Sequence, residues 1–357
     1  ASDNTALGSH ALYLNTTGAN NVAVGALALD ANTTASNNTA IGYDSLGANT
    51  TGAYNTAVGR NSLLLNTTGG YNVALGGGAL DSNTTASYNT AVGFEALQEN
   101  TTGTNNTGIG YKALEENTTA SNNTALGYEA LTANTTGSEN TGLGRNSLSA
   151  NTTATNNTAV GYASLEQNTT GANNTSVGAY ALEENTTAAN NTAVGYLALT
   201  DNTTGTENSA VGAAALRGNT TADNNTAVGY TALYTNTTGA SNTAVGRSAL
   251  YTNNASNNTG IGQRALYANT SGTANTAVGS QALDANTTAN YNTAVGRSAL
   301  AAATTGGYNN AIGSNALDAN TTGTHNVAIG VNALGAANAN NNTAIGSAAM
   351  YTNTTGS

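Results

Sequence analysis

The chain has 357 residues, a length that by itself suggests two or three domains. Its composition overrides that estimate, because Pro, Cys and Trp are absent, 7% of residues are charged, and the formal net charge is −11. An acidic chain of this kind is unsuited to binding nucleic acid or an anionic membrane, and without cysteine it can form neither disulfides nor thiolate metal sites.

The chain begins with ASDNTALG, which lacks the basic and apolar regions of a signal peptide. A secreted protein after processing, or a segment of a longer protein, would also begin in this way. No apolar run approaches the ~18 residues that a membrane-spanning helix needs. We therefore expect no membrane insertion of this segment.

One 17-residue phrase then repeats along the whole chain. Numbered from the first Asn of NTT, its consensus is N-T-T-G/A-x-x-N-T-A-V-G-x-x-A-L-x-x. This Asn recurs from Asn15 onward, with Ala303 and Ala337 as substitutes, and the steps 253 to 269 and 337 to 353 are one residue short. Such regularity predicts a stack of equivalent structural units.

Four positions of the repeat hardly vary. Position seven is Asn and position eleven is Gly in all 21 copies. Position fifteen is Leu in 20 copies and Met350 in the last, and position ten is always Val, Ile or Leu. Positions nine and fourteen are small. Positions five, six, twelve, thirteen, sixteen and seventeen vary, and they hold all charged residues, both His and all 17 Tyr.

Position four alternates Ala and Gly from Ala86 to Gly306, which doubles the period to 34 residues. Helical tetratricopeptide arrays share that period. A Gly in every repeat, paired Thr residues and the lack of a helical apolar stripe argue against helices here. Duplication of a two-turn unit explains the alternation.

The segment N-T-A-V-G predicts one short strand per repeat. Positions eight and ten should share a face, and Val22, Val73 and Val327 at position eight indicate that this face is the interior. Leu at fifteen should turn inward from a second short strand, and Asn at seven and Gly at eleven should form left-handed corners. The pattern predicts an all-β fold, a parallel β-solenoid or β-roll of about 21 turns that occupies residues 1–357 as one uninterrupted domain without distinct caps.

The turns should share a thin apolar core, because one turn buries too few aliphatic groups to fold alone. The predicted core residues are Leu29, Leu46, Leu97, Leu114, Leu131, Val58, Val160 and Val194. The small residues at positions nine and fourteen should leave a smooth stripe against which a second or third copy packs. At ~4.8 Å per turn, the predicted rod is about 100 Å long.

The phrases NVAVG (Asn21 to Gly25), NVALG (Asn72 to Gly76) and NVAIG (Asn326 to Gly330) resemble the head repeats of YadA-like trimeric autotransporter adhesins. The resemblance implies a left-handed parallel β-roll, assembled as a trimer on a bacterial surface, that binds host or matrix components. This chain differs in its longer repeat, with an inserted N-T-T-G/A corner, and in showing no neck, coiled-coil stalk or membrane anchor. It is also similar to repeats of fibrous bacterial surface and phage-tail proteins.

Sequons N-x-S/T are the most repeated chemical motif. Nine come from NNT, as at Asn37 and Asn105, one is NAS at Asn254, and 18 lie in the NTT corner. The NTT candidates for N-glycosylation are Asn15, Asn32, Asn49, Asn66, Asn83, Asn100, Asn117, Asn134, Asn151, Asn168, Asn185, Asn202, Asn219, Asn236, Asn269, Asn286, Asn320 and Asn353. The alternative is that Asn and Thr are there as corner residues and form sequons by chance.

Columns of Thr at positions two, three and eight raise ice binding as an alternative function, although Thr also simply favours strands. Tyr234, Tyr251 and Tyr267 share position sixteen, as a Tyr column at 54, 71 and 88 shares position six. We expect stacked ladders there, with a sugar-contacting or inter-subunit strip as the alternative. The acidic pairs Glu115–Glu116 and Glu183–Glu184 are expected to be solvated rather than to bind calcium, because no D-x-D-x-D-G loop is present.

Catalysis is not expected, because a uniform array offers no singular pocket. His10 and His325 lie about eighteen turns apart, and Gly76-Gly77-Gly78 is a local variation rather than a phosphate loop. No catalytic residue, metal site or cofactor is predicted. Neither end changes character, which suggests either a slice of a longer protein or head-to-tail stacking into a fibre.

The sequence therefore predicts an extracellular structural or adhesive filament or rod subunit of bacterial or archaeal type, whose main partner is itself, as a trimer or a head-to-tail polymer. Glycans or extracellular matrix are further candidate partners. The alternatives are a YadA-like adhesin head with a specific ligand and an ice-binding β-solenoid.

Overall fold

The computed structural model describes residues 2–336 and 338–354, and the chain forms two compact units, Ala1–Ser176 and Val177–Ser357. Within the described residues, each repeat contributes one strand of three residues. The first unit contains β1 (Thr5–Leu7), β2 (Val22–Val24), β3 (Thr39–Ile41), β4 (Thr56–Val58), β5 (Val73–Leu75), β6 (Thr90–Val92), β7 (Thr107–Ile109), β8 (Thr124–Leu126), β9 (Thr141–Leu143) and β10 (Thr158–Val160).

Strand β11 (Thr175–Val177) crosses the boundary between the units. The second unit contains β12 (Thr192–Val194), β13 (Ser209–Val211), β14 (Thr226–Val228), β15 (Thr243–Val245), β16 (Thr259–Ile261), β17 (Thr276–Val278), β18 (Thr293–Val295), β19 (Asn310–Ile312), β20 (Val327–Ile329) and β21 (Thr343–Ile345). Ala337, predicted to replace an NTT Asn, lies outside the described residues.

Within each unit, successive strands pair in parallel and in register. Ala40 pairs with Ala57 in the first unit, and Ala210 pairs with Ala227 in the second. The short step is absorbed without loss of register, since Val245 pairs with Ile261. The predicted all-β parallel β-solenoid with a 17-residue repeat is confirmed. In residues 2–336 and 338–354, no helix is long and apolar enough to cross a bilayer.

The second strand predicted around position fifteen does not form. A tight turn replaces it, in which positions thirteen and fifteen are both left-handed, as at Asp44 (φ 55) and Leu46 (φ 54). A left-handed L-residue costs roughly 1–2 kcal/mol. The turn still bonds to the next one, because the Leu46 amide donates to Ser62 O at 3.0 Å. Inter-turn hydrogen bonding therefore continues where strand geometry ends.

The left-handed corner predicted at position seven is also displaced. It lies one residue earlier, at position six, where Tyr54 has a φ of 62°. The Asn that follows is instead fully buried, as at Asn106. Its side chain takes over the hydrogen bonding that a strand end would otherwise leave unmade.

The faces of the strand are reversed relative to the prediction. Position nine points inward, since Ala40 is fully buried, whereas Ile41 at position ten is 39% exposed. The predicted packing stripe of small residues at nine and fourteen therefore lies inside the coil, as Ala23 and Ala28 show. No second copy can reach it there.

The predicted core divides accordingly. Of its eight members, the leucines at positions 29, 46, 97, 114 and 131 are fully buried. Val58 and Val160 are only partly buried and Val194 is 36% exposed, so these three side chains belong to the outer face. The interior is too narrow for Val, because even a Cβ added to Gly108 at position nine would lie 3.3 Å from Leu97 Cγ.

Glycine at position eleven is required by a close approach between turns. Gly93 has a φ of +135°, and a Cβ there would lie 2.7 Å from the carbonyl carbon of Gly110 in the next turn. Gly77, at position twelve, lacks a positive φ and would place its Cβ no closer than 3.6 Å to a neighbour, Phe94 Cδ2. The two glycines therefore differ in what a side chain would cost.

We predict that Gly93→Ala lowers the free energy of unfolding by more than about 2 kcal/mol. The backbone conformation at Gly93 is unfavourable for a residue with a Cβ, and the Cβ would clash with Gly110 of the next turn. The matched control Gly77→Ala should change it by less than about 0.5 kcal/mol. Urea denaturation followed by far-UV circular dichroism measures both. Equal effects would contradict the proposed role of position eleven.

Candidate functional site

The outer face of the strands is a repeated, partly exposed feature of each unit. We call it the outer strip: the side chains at positions eight and ten. Leu126 is 48% exposed in the first unit, and Val211 and Val228 are 40% and 37% exposed in the second. Positions eight to ten carry no charged residue in any repeat. The strip is thus an uncharged row, aliphatic at position ten and Thr or Val at position eight, except for Ser209 and Asn310.

A second exposed set consists of the variable columns around the turns. The predicted tyrosine ladders are present in the structure, since the rings of Tyr54 and Tyr71 lie 4.9 Å apart and those of Tyr71 and Tyr88 lie 5.2 Å apart. Tyr251 likewise stacks between Tyr234 and Tyr267, at 5.1 and 5.2 Å. Each ring covers the face of the next, so mainly ring edges and hydroxyl groups face solvent.

Two further stacks are present that were not predicted from the sequence. Tyr111 at position twelve stacks on Phe94 at 5.9 Å and on Tyr128 at 5.0 Å. At position six, Tyr308 stacks on His325 at 4.9 Å. Equal spacing by 17 residues was the signal that could have found them.

The Asn of the NTT corner is a buried structural residue. The Asn100 amide nitrogen donates to Asn83 Oδ1 at 3.0 Å and to Gly103 O at 3.0 Å. Sixteen of the 18 predicted glycosylation candidates are fully buried, and Asn15 and Asn353 are half-buried. A glycan would need the same nitrogen, so the folded coil does not present it to an enzyme.

The Asn of the NNT sequons lies at position six, on the surface. Its nine members are exposed: Asn37, Asn105, Asn122, Asn156, Asn173, Asn190, Asn224, Asn257 and Asn341. The left-handed backbone turns these side chains outward, as at Asn37 (φ 61). Of the two large sequon classes, this one leaves its acceptor accessible in the folded chain.

Threonine at position two is engaged with the backbone. The Thr101 hydroxyl donates to Thr118 O of the next turn at 3.0 Å. Thr102, at position three, is exposed. Of the two corner columns, only position three therefore presents a row of exposed hydroxyl groups that are not bonded to the next turn. This observation argues against the flat array of Thr that ice binding would use.

The acidic pair at 115 and 116 joins a small ion network. Lys112 Nζ lies 2.7 Å from Glu115 Oε1 and 3.3 Å from Glu95 Oε2. These hydrogen bonds, with Glu115 first, raise the pKa of Lys112. The described residues contain no group of three or more His, Cys, Asp or Glu placed to hold a metal ion.

The two histidines each contact aromatic or hydroxyl neighbours. His10 Nδ1 lies 2.9 Å from Ser9 Oγ, and its ring meets Tyr13 edge-on at 5.1 Å. His325 continues a tyrosine stack, as described above. The triple glycine at 76 to 78 opens a notch of about 330 Å³ beside Phe94.

No protein-family model matches the sequence, and no curated protein matches it. The resemblance to YadA-like head repeats therefore rests on the short repeated phrases and on the shared β-solenoid architecture.

We predict that, if the chain is produced in a host that glycosylates NxS/T, the folded protein carries glycans at exposed position-six Asn residues such as Asn37 and none at Asn32. The reason is that Asn32 Nδ2 is buried and donates to Asn15 Oδ1 and Ala35 O. Peptide mapping after enzymatic deglycosylation in heavy-oxygen water locates each modified Asn.

Two substitutions serve as controls for that mapping. Thr39→Ala removes the sequon of Asn37 and should lower the glycan count, whereas Thr34→Ala removes the sequon of Asn32 and should leave it unchanged. Glycans at NTT residues of a natively folded preparation would contradict the assignment.

Proposed function

We propose that the chain is an extracellular structural or adhesive subunit of a filament or rod, and that it associates with further copies of itself laterally through the outer strip. The supporting observation is the repeated, uncharged, half-exposed aliphatic row at position ten. Contiguous exposed apolar surface of this kind is typical of interaction sites in soluble proteins.

A second copy of the chain fits the strip by its period. Completing the burial of one half-exposed aliphatic side chain is worth roughly 1 kcal/mol. That gain is small for one turn and large for many, and it accumulates only when the partner repeats at the same spacing. Another copy presents the same row at the same spacing, so the surface is self-complementary.

The chemistry of the columns favours structural work over catalysis. Main-chain and Asn hydrogen bonds repeat from turn to turn, and aromatic residues stack on their own kind. Repeated equivalent environments distribute load and contact area along the coil. A catalytic site instead needs one strained place with perturbed groups.

Head-to-tail stacking is the second route of assembly that we propose, because each turn pairs in parallel and in register with the next and a turn of another copy would offer the same pairing. A YadA-like trimeric adhesin head, left-handed as the resemblance implies, is the alternative function. In that case the outer strip would face the trimer axis and the variable columns would face a host or matrix ligand. Ice binding is the remaining alternative, and thermal hysteresis of the purified protein tests it.

We predict that Val211→Glu combined with Val228→Glu abolishes lateral association, because two carboxylates would be buried between apolar rows. The wild-type chain should sediment as a multiple of the single-chain mass, and the variant as a single chain. Analytical ultracentrifugation measures the mass, and negative-stain electron microscopy shows whether rods or filaments form.

The matched control adds two charges at position six, one on the turn of Val228 and one on the turn before that of Val211. Asn190→Glu combined with Asn224→Glu alters exposed position-six residues and should leave the mass unchanged. Loss of association in both variants would point to general charge repulsion. A monomeric wild-type chain would overturn lateral assembly, and head-to-tail fibres in the first variant would assign assembly to the ends.

A further inference from the structure

The column of side chains at position twelve forms a stack in the first unit. Phe94, Tyr111 and Tyr128 lie face to face, and Arg145 places its guanidinium 5.5 Å from the Tyr128 ring centre and 5.7 Å from that of Tyr162. Three aromatic rings, one guanidinium group and a further ring therefore follow one another at one level per turn. Both stack favourably because a cation is attracted to a ring face.

One level of this column is empty of any side chain. Gly77 occupies position twelve between Arg60 and Phe94, which belong to the preceding and following turns. Turns are ~4.8 Å apart, so these two side chains start about 10 Å apart. That gap has room for one planar group at the 5.0 Å spacing that separates Tyr111 and Tyr128.

A surface cavity lies at this gap, and we call it the glycine notch. Its volume is about 330 Å³, and its walls include Arg60, Asn61, Asp81, Phe94 and Glu95. The triple glycine of the sequence creates it, because Gly77 and Gly78 line the cavity and have no side chains to fill it.

Two hydrogen-bond acceptors in the wall lack partners. Asn61 Oδ1 and Asp81 Oδ1 are both buried and accept no hydrogen bond. A buried acceptor without a donor costs roughly 1–3 kcal/mol. Neither oxygen has appreciable accessible surface, so a ligand carrying N–H groups would recover this cost once the two side chains turn these oxygens toward the notch. The notch therefore offers a place for a planar group at one side and for donors at the other.

The second unit shows what such a pair of positions can hold. Arg264 and Asp284 occupy the positions equivalent to Asn61 and Asp81, and the Arg264 guanidinium donates to both carboxylate oxygens at 3.1 and 3.0 Å. The same guanidinium lies 4.4 Å from the centre of the Tyr267 ring. A flat cation that both stacks and donates to the Asp is thus compatible with this corner of the repeat.

The charge around the notch favours a cation. Burial raises the pKa of Asp81, and the nearby carboxylates of Glu99 and Asp44 raise it further, in that order. A positive ligand would relieve this crowding of negative charge. Arg60 lies at the opposite wall, where a ring would cover its guanidinium as rings cover that of Arg145.

We propose that the glycine notch binds a single small aromatic cation of the arylamidine or arylguanidine class. Its ring stacks between Phe94 and Arg60 at the level of Gly77. Its N–H groups donate to Asp81 and Asn61. The site is separate from the outer strip, so it does not depend on self-association.

The test is a titration with p-aminobenzamidine, whose fluorescence rises in apolar surroundings. The wild-type chain should show one saturable site. Benzamide lacks the charge and methylguanidine lacks the ring, so each should compete at least tenfold more weakly than benzamidine. Equal competition by benzamide would remove the role of Asp81.

Two variants locate the site. Gly77→Tyr fills the empty level with a common residue of the column and should weaken binding more than tenfold, because its backbone conformation and space accept a side chain. Ala213→Tyr places a Tyr at position twelve of the second unit and should leave binding unchanged. Circular dichroism establishes that each variant is folded.

Asp81→Asn keeps the shape of the notch and removes its charge, and it should also weaken binding more than tenfold. This variant carries the test if Gly77→Tyr does not fold. Unchanged binding in both variants would place the probe on an exposed tyrosine stack and overturn the proposal. No saturable binding to the wild-type chain would also overturn it.

Discussion

Two buried asparagines per turn hold successive turns of the coil together. Asn106, at position seven, accepts the Asn123 amide through Oδ1 at 3.0 Å, and its own Nδ2 donates to Ala120 O at 2.8 Å. Its backbone N–H donates to Asn89 Oδ1 at 2.9 Å. One residue thus bonds to both neighbouring turns, its side chain to the following turn and its backbone N–H to the preceding one. These bonds form only when equivalent residues of successive turns lie directly above one another. The parallel pairing of the three-residue strands and the left-handed turns depend on that alignment.

The narrow interior decides which side chains are left for the surface. One Leu and two small residues fill the cross-section of a turn, so the larger aliphatic residue of the strand has to point outward. An isolated coil that buries Ala and exposes Val leaves its larger apolar side chains in contact with water. These side chains are removed from water when the exposed row packs against the same row of a second copy. This burial is the physical basis of the assembly that we propose.

The features that distinguish one turn from another lie at the variable positions of the repeat. The aromatic columns, the Lys112 network and the glycine notch all arise at positions whose side chains take no part in the repeated inter-turn hydrogen bonds. Variation is tolerated there because side chains at these positions contact other variable side chains of the same or adjacent turns, as Lys112 contacts Glu115 and Arg264 contacts Asp284. Local sites can therefore be added or removed without disturbing the asparagine columns.

The sequence alone determined the repeat, the parallel coil and the buried leucines, because a 17-residue period with fixed Asn, Gly and Leu permits few other structures. It also indicated the tyrosine ladders. It did not determine which face of the strand points inward, since alternation fits both choices; the crowding of position nine against Leu, as at Gly108 and Leu97, decided that. Only the tertiary structure separated buried NTT asparagines from exposed NNT ones, and brought Asn61, Asp81 and Phe94 around one notch, because both outcomes depend on contacts between turns.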